Sequence, residues 1–527
     1  MNQEMLQFCI QKGVLLDKQV FKSLENLDNL VLVKNLIERI EYQYKQKVIT
    51  KSFFINNSNK VYEIISNYNG SNKKAIESFF VNLGIDLDLT KTIIPLKNEV
   101  ELPVSSNINL FKIYQNLPKK IEVNDFVKNF RYRFNTLKAI LQERTELENL
   151  VSINRIEENK ACSIIAMIYD KKVTKNDNVL LEIEDLTGRT TALINKARFE
   201  VYEKSKEIIL DEVIGLKVSG SKEIVFVNDI VFPDVRLIEK KRAKTDEWAA
   251  FISDIHIGSD KFLEKNFIKF IEWINGEIGD DKQREEALKV KYLFITGDTI
   301  DGVGVYPAQE SQLLIKDVNE QYKALGEFLI KIRDDVKIIL CAGQHDAVRV
   351  AEPQPIIGEY YGSSLHLLKN LYLVTNPAIV EIGSDTKFKV LMYHGASMHG
   401  VINSIDSLRT SRAQDYPTQI VKHLLKKRHL APTHSLVTYT PIENEDALLI
   451  STIPDIVSTG DLHRPEISEY NGILLIASSC WQSITPFEEK VGNDPDPCKV
   501  PIFNLKTREA KILDFSDVEE KEEENAN

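Results

Sequence analysis

Apolar positions change their period along the chain, and each change marks a different kind of structure. Leu27, Leu30, Val31, Leu36, Ile37 and Ile40 recur at near-helical spacing around Lys34, which predicts an amphipathic helix, with a second one after a polar joint. Residues 1–66 therefore read as a small helical module. No cluster of ligand-type side chains occurs in it, so docking to a partner is its expected role rather than catalysis. Residues 67–158 are less regular and read as a linker. Asn and Ser gather around Asn67-Tyr68-Asn69-Gly70, and a longer helix opens at Asp125-Phe126 and runs past Leu141. Its Lys128, Arg131, Arg133 and Lys138 make either a phosphate-facing or a solvated face, the latter being commoner.

From 159 to 235 the period shortens to two. Two alternating runs, Val179 to Glu184 and Arg189 to Ile194, are joined by Asp185-Leu186-Thr187-Gly188, where glycine offers the positive φ a hairpin turn demands. The run of short strands resembles an oligonucleotide/oligosaccharide-binding (OB-type) barrel. Few aromatics lie on its central strands, which favours protein contact over stacking of single-stranded bases. Residues 236–247, with Lys240-Lys241-Arg242, form a basic connector, and from 248 to 515 apolar strands alternate with helical stretches, as in a layered α/β domain. Residues 516–527 make an acidic tail expected to be disordered. The expected architecture is multidomain: an N-terminal α module, an OB-type β-barrel and a C-terminal α/β domain.

Length agrees, since 527 residues exceed what one core supports. Cys9, Cys162, Cys341, Cys480 and Cys498 are scattered, with no C-x-x-C pair, so reduced thiols without structural zinc are expected. No apolar run reaches the roughly 18 residues of a membrane helix, and no signal-peptide pattern opens the chain, which predicts a cytoplasmic protein. The formal net charge is −11, of which the residues from Asp517 onward contribute −5. An acidic body argues against a protein that grips nucleic acid unaided, because Lys and Arg supply most of that affinity.

The chemistry gathers in the α/β region, where strand-like runs end in ligand-type residues. These are Ala250-Phe251-Ile252-Ser253-Asp254-Ile255-His256, then Tyr292 to Thr296 followed by Gly297-Asp298-Thr299-Ile300-Asp301-Gly302, then Ile338 to Ala342 followed by Gly343-Gln344-His345-Asp346. Two more are Val390 to Tyr393 followed by His394-Gly395, and Ile456 to Thr459 followed by Gly460-Asp461-Leu462-His463. A buried strand delivers its last residues to the carboxyl edge of a sheet, and glycine lets the backbone bend tightly there. Mixed oxygen and imidazole donors suit Mn, Fe or Zn. The other histidines, His366, His399, His423, His429 and His434, stand outside these runs and read as surface or satisfied core residues.

The order Asp-x-His, Gly-Asp-x-x-Asp-Gly, Gly-Asn-His-Asp, His-Gly, Gly-His-x-His is that of calcineurin-like phosphoesterases, which this region resembles. Gly302 to Glu310 (GVGVYPAQE), Asp346 to Pro355 (DAVRVAEPQP), Arg428 to Pro432 (RHLAP) and Trp481-Gln482 narrow the resemblance to the small subunits of archaeal D-family DNA polymerases. It implies a two-metal nuclease that proofreads DNA 3′ ends beside a large polymerising subunit, with Mn foremost and Mg, Fe or Zn as alternatives. It further implies Asp254, His256 and His463 on one ion, Asp298 bridging, and Gln344, His394 and Asp461 on the second. His345 would stabilise the phosphorane or protonate the leaving oxygen, oriented by Asp301. Paired ions supply a nucleophile and neutralise charge on attacking and leaving oxygens.

Two positions depart from the family pattern: Gln344 stands for Asn and Asp461 for His. Both fall on the second ion, which is expected to bind more weakly and to favour oxygen-seeking Mn or Mg. The departures keep a second reading open, a catalytically weak scaffold that holds the large subunit. A protein phosphatase is less favoured, because Asp301-Gly302 and His345-Asp346 replace that class's Asp-Arg-Gly and Asn-His-Glu.

Overall fold

The computed structural model describes residues 2–25, 27, 29–44, 47–55, 64–65, 75–76, 78–80, 83, 107–114 and 120–516. The Asn67 to Gly70 cluster and the acidic tail from residue 517 lie outside the described residues. Two compact units divide at residue 100. In the first, helices Asn2–Lys12, Lys18–Glu25, Leu30–Tyr44 and Lys51–Ile55 surround a short parallel pair, β1 (Leu15–Leu16) and β2 (Val48–Ile49). Val33, Leu36, Ile37, Ile40 and Phe54 are buried in its core, whereas Val31, counted with the apolar face above, is exposed.

The second unit opens with β3 (Ile108–Lys112), an edge strand inside the stretch read as linker. Its Ile108 is buried against the sheet it joins, which is what recruits it. Helix Val123–Gln142 follows, closed at its start by a capping box between Glu122 and Asp125. Arg133 on that helix, expected at a phosphate-facing or solvated surface, is only 1% exposed. It turns inward to Asp446, 2.7 Å away.

The next five strands, β4 (Cys162–Val173), β5 (Val179–Asp185), β6 (Gly188–Ile194), β7 (Val213–Gly220) and β8 (Ile224–Val231), close into a barrel in the order β4-β5-β6-β8-β7. Every second side chain points inward, as in Leu181, Ile183, Ala192 and Ile194. The β5–β6 turn does not use a positive φ at Gly188. Instead the Asp185 carboxylate accepts from Thr187 N at 2.7 Å and Gly188 N at 3.0 Å, an Asx-type closure. Buried Lys427 fastens the barrel to the α/β region through Glu212 at 2.7 Å.

The α/β region contributes β9 (Trp248–Ile252), β10 (Val290–Thr296), β11 (Lys337–Cys341), β12 (Leu371–Val374), β13 (Ala378–Ile382), β14 (Phe388–Met392), β15 (Ile456–Thr459), β16 (Glu466–Tyr470), β17 (Ile473–Ala477), β18 (Lys499–Asn504) and β19 (Ala510–Asp514). They form two six-stranded sheets, ordered β12-β11-β10-β9-β18-β19 and β16-β17-β15-β14-β13-β3. Alternation assigns the faces. Ala249, Phe251 and Phe294 of the first sheet meet Val390, Met392 and Ile456 of the second in one core. Ala250, Ile252 and Ile295 face the other way, against helices Glu264–Ile274 and Val318–Leu329. The second sheet's outer face packs on helix Pro417–Lys427. Because both faces of each sheet are covered, the central strands read as continuous apolar runs. Among the described residues, no helix is long and apolar enough to cross a membrane.

Candidate metal centre

Strands β9, β10 and β11 are parallel and in register, Ile252 opposite Ile295 and Thr296 opposite Cys341. Their carboxyl ends therefore lie level. The second sheet brings β14 and β15, also parallel, to the same edge, and Thr296 Oγ1 lies 2.8 Å from Ser458 Oγ, linking the sheets beneath it. Asp254, His256, Asp298, Asp461 and His463 all follow strand ends with φ between 46° and 69°. That left-handed conformation is uncommon for non-glycine residues and gathers at functional sites. The neighbouring glycines make room. A Cβ on Gly343 would stand 2.1 Å from Asp298 Oδ1, and one on Gly297, itself at φ 87°, would stand 2.3 Å from His394 Nδ1.

Three groups of potential ligand atoms result: Asp254, His256 and His463; Asp254, Asp298 and His394; and His256, Asp301 and His345, each with its atoms within 4.8 Å of one another. Asp254 thus reaches into both of the first two, while Asp298, the residue implied as the bridge, joins the second. In the first, His256 Nε2 and His463 Nε2 are 3.4 Å apart, and His463 Nε2 is 3.4 Å from Asp254 Oδ1. In the second, His394 Nε2 is 3.2 Å from Asp298 Oδ2 and 3.9 Å from Asp461 Oδ1. Gln344 joins Asp461 by donating Nε2–H to Oδ1 at 3.1 Å. All nine residues singled out in the sequence meet at this edge.

Electrostatics bind the cluster together. Burial opposes charge on Asp254 and Asp298, yet His463 beside the first and His394 beside the second hold both carboxyls below the ordinary range. Burial likewise works against imidazolium at His394, but the Asp298 and Asp254 carboxylates push it well up. Removing the imidazole protons and placing cations there would relieve the same charge. The buried oxygens Gln344 Oε1 and Asp461 Oδ2 have no hydrogen-bond partner, and His394 Nε2 meets only carboxylate oxygens, Asp298 Oδ2 nearest at 3.2 Å, although buried polar atoms are nearly always paired. All three belong to the side of the cluster implied for the second ion, so the residues present fit a pair of divalent cations.

Asp301 touches His345, the residue it is implied to orient, through its backbone rather than its carboxylate. Its carboxylate lies 3.1 Å from His256 Nδ1, and it is the Asp301 carbonyl oxygen that takes His345 Nδ1 at 2.8 Å. The carboxylate is held in turn by Gln309 Nε2 at 2.8 Å and Gln482 Nε2 at 3.3 Å, which gives the GVGVYPAQE and Trp481-Gln482 segments a local task. Gln354 has a comparable one. Its Nε2 donates to Gly343 O at 2.8 Å and its Oε1 accepts from Asn376 Nδ2 at 2.7 Å, while Asn376 Oδ1 accepts from His394 N at 3.0 Å.

A carboxylate outside the five motif runs also touches the cluster. Glu488 Oε1 lies 2.6 Å from His463 Nδ1, and the carboxylate is seated by a capping box with Thr485. Burial opposes its charge, but His463 pulls the carboxyl down to about 2. The Thr485-Pro-Phe-Glu488 capping pattern was legible in the chain, but its meeting with His463 was not.

Residues 249–468 match the family model for the B-type subunits of DNA polymerases alpha and epsilon. Among curated relatives, the DNA polymerase II small subunit of Methanothermobacter thermautotrophicus is 38% identical over 396 residues, spanning 75% of this chain and 80% of the relative. That of Archaeoglobus fulgidus is 36% identical over 82% of this chain and 86% of its own. The Pyrococcus furiosus protein of the same name is 35% identical, with 64% of its length covered. At that identity and coverage, the chain belongs to the family of archaeal DNA polymerase II small subunits.

Proposed function

We propose that this small subunit is a metal-dependent 3′-to-5′ exonuclease that removes mispaired nucleotides from DNA ends beside a large polymerising subunit, for which it is also the scaffold. The observation that carries the reading is the pair of buried oxygens without hydrogen-bond partners, Gln344 Oε1 and Asp461 Oδ2, on side chains gathered with His394 and Asp298 beside the Asp254, His256 and His463 group. Asp254, His256 and His463 would hold one divalent ion and Gln344, His394 and Asp461 the other, with Asp298 shared between them, Mn foremost with Mg, Fe or Zn as alternatives. Bound there, such a pair neutralises phosphate charge and supplies the nucleophile.

His345 is half-buried at the rim. A carbonyl oxygen can only accept, so its 2.8 Å contact with Asp301 O puts one ring proton on Nδ1. Only the imidazolium, with a second proton on Nε2, can stabilise the phosphorane or hand that Nε2 proton to the leaving 3′ oxygen, ending as the neutral Nδ1–H ring. The closed five-stranded barrel is read as OB-type, serving protein contact. An acidic chain of net charge −11 binds DNA poorly alone at physiological salt, and affinity comes with a basic large subunit.

Degradation of a mismatched 3′-tailed primer, with added Mn and with and without the large subunit, tests the proposal. Mn-stimulated removal of the mismatch is expected. No hydrolysis by the metal-loaded complex would leave only the scaffold, the reading that the exchanges at Gln344 and Asp461 favour.

A further inference from the structure

The two ion positions are built from different atoms. At the first, Asp254 provides oxygen while His256 and His463 provide nitrogen. Both rings are backed by carboxylates, Asp301 at 3.1 Å and Glu488 at 2.6 Å. A carboxylate behind an imidazole fixes its tautomer and raises its basicity, which suits a borderline cation such as zinc. At the second position the only imidazole is His394, and its Nδ1 meets a neutral acceptor, Thr296 O, at 2.7 Å. Its other donors are oxygens, from Asp298, Gln344 and Asp461.

Gln344 and Asp461 do not act separately. The 3.1 Å bond from Gln344 Nε2 to Asp461 Oδ1 commits the amide nitrogen, so the amide's oxygen is the atom left over. It also leaves Asp461 Oδ2 unpaired, so two buried oxygens, Gln344 Oε1 and Asp461 Oδ2, stand beside His394 without hydrogen-bond partners. Asparagine at 344 is one methylene too short to keep that bond. Histidine at 461 would direct its ring nitrogen to the cation and strand the Gln344 amide.

Resting on the two-ion reading above, we infer that Gln344 and Asp461 form one hydrogen-bonded unit that makes the second position selective for a hard cation. The centre then holds a mixed pair, a borderline ion such as zinc at the first position and Mg or Mn at the second. The unit is a coupled exchange rather than a decayed site.

Metal-stripped full-length protein, titrated with zinc and then with Mn or Mg, tests this by calorimetry, elemental analysis and Mn paramagnetic resonance. One tight zinc per chain is expected, then one Mn or Mg that excess zinc displaces poorly. Gln344→Asn alone and Asp461→His alone should each weaken the second ion about tenfold or more, the scale of losing an orienting partner. The double variant should regain a second ion and accept zinc there. Two equally tight zinc ions in the unaltered protein, or single variants whose effects simply add, would overturn the inference. A chain that takes up no cation overturns the two-ion centre itself. Uptake in the stated order without DNA hydrolysis supports the mixed pair and removes the nuclease.

Discussion

Two buried clusters of histidine and aspartate lie in the α/β region, and they treat their polar atoms in opposite ways. In one, Arg133 Nε donates to Asp446 Oδ2 at 2.7 Å and Nη1 to Pro432 O at 2.8 Å. His429 Nε2 meets the same carboxylate oxygen at 3.0 Å, while its Nδ1 accepts from Ala431 N at 3.0 Å. No side-chain atom of Arg133, His429 or Asp446 is orphaned. Burial and then Arg133 hold His429 neutral. In the other cluster, the carboxylates push His394 up and two oxygens, Gln344 Oε1 and Asp461 Oδ2, stay unpaired. The same residue types therefore close on themselves in one cluster and leave buried oxygens open in the other, although such atoms are ordinarily paired.

The largest effect should come from breaking the closed cluster. Arg133→Ala leaves Asp446 buried and uncompensated, a loss of about 3–5 kcal/mol by analogy with other broken buried pairs. Denaturant melts should record it. Ion stoichiometry in the folded fraction should not move, and a neutral substitution would show that the cluster holds nothing together.

His345→Ala addresses the open cluster. Melting temperature and ion content should stay close to those of the unaltered chain while exonuclease rate falls about 10²-fold, the usual scale for losing a positioned donor. Equal rates would remove His345 from the chemistry.

Glu488→Gln sharpens the contrast within the open cluster. Calorimetry should show the first ion bound about 10-fold to 100-fold more weakly, with the second little affected. A variant with unchanged affinity would make Glu488 a helix-capping residue and no more.

The smallest effect is a slope in pH. Glu352 is buried beside Tyr393, its Oε2 3.4 Å from the Tyr393 hydroxyl and its Oε1 unpartnered. Burial lifts its carboxyl from 4.5 to about 8. Between those values the folded chain carries a proton that unfolding releases, so stability falls as pH rises, by at most about 1.4 kcal/mol per pH unit. Melts in chelator at pH 6 and 7 should show this contribution, and Glu352→Gln should remove it. An identical slope in the variant would mean that Glu352 is already ionised at pH 6.

Much of the candidate centre was legible because its nine residues follow the ends of five strands, β9, β10, β11, β14 and β15, in chain order. A continuous apolar run that ends in ligand-type residues is a local signal, so Asp254, Asp298 and His394 stood out without knowledge of the fold. The barrel was visible through another local signal, the alternation from Val179 to Ile194. What was misread depended on distant partners. Arg133 carries a surface-type side chain on an amphipathic helix, and distant partners, Asp446 313 residues away and the Pro432 carbonyl, hold it inside. Residues 108–112 offer too short an apolar run to distinguish a linker from a strand until β13 supplies an edge.

The sequence by itself determined which donors the centre owns and the order in which strands deliver them, because strand period and turn residues are properties of neighbours in the chain. Tertiary structure alone decided how those donors are used. Gln344 and Asp461, 117 residues apart, share a hydrogen bond, and Glu488 rather than a motif residue stands behind His463. Asp301 turns its carboxylate to His256 and only its carbonyl to His345. The physical reason is that a hydrogen bond requires its atoms within about 3 Å and suitably aimed, and only the packing of two sheets fixes positions to that precision.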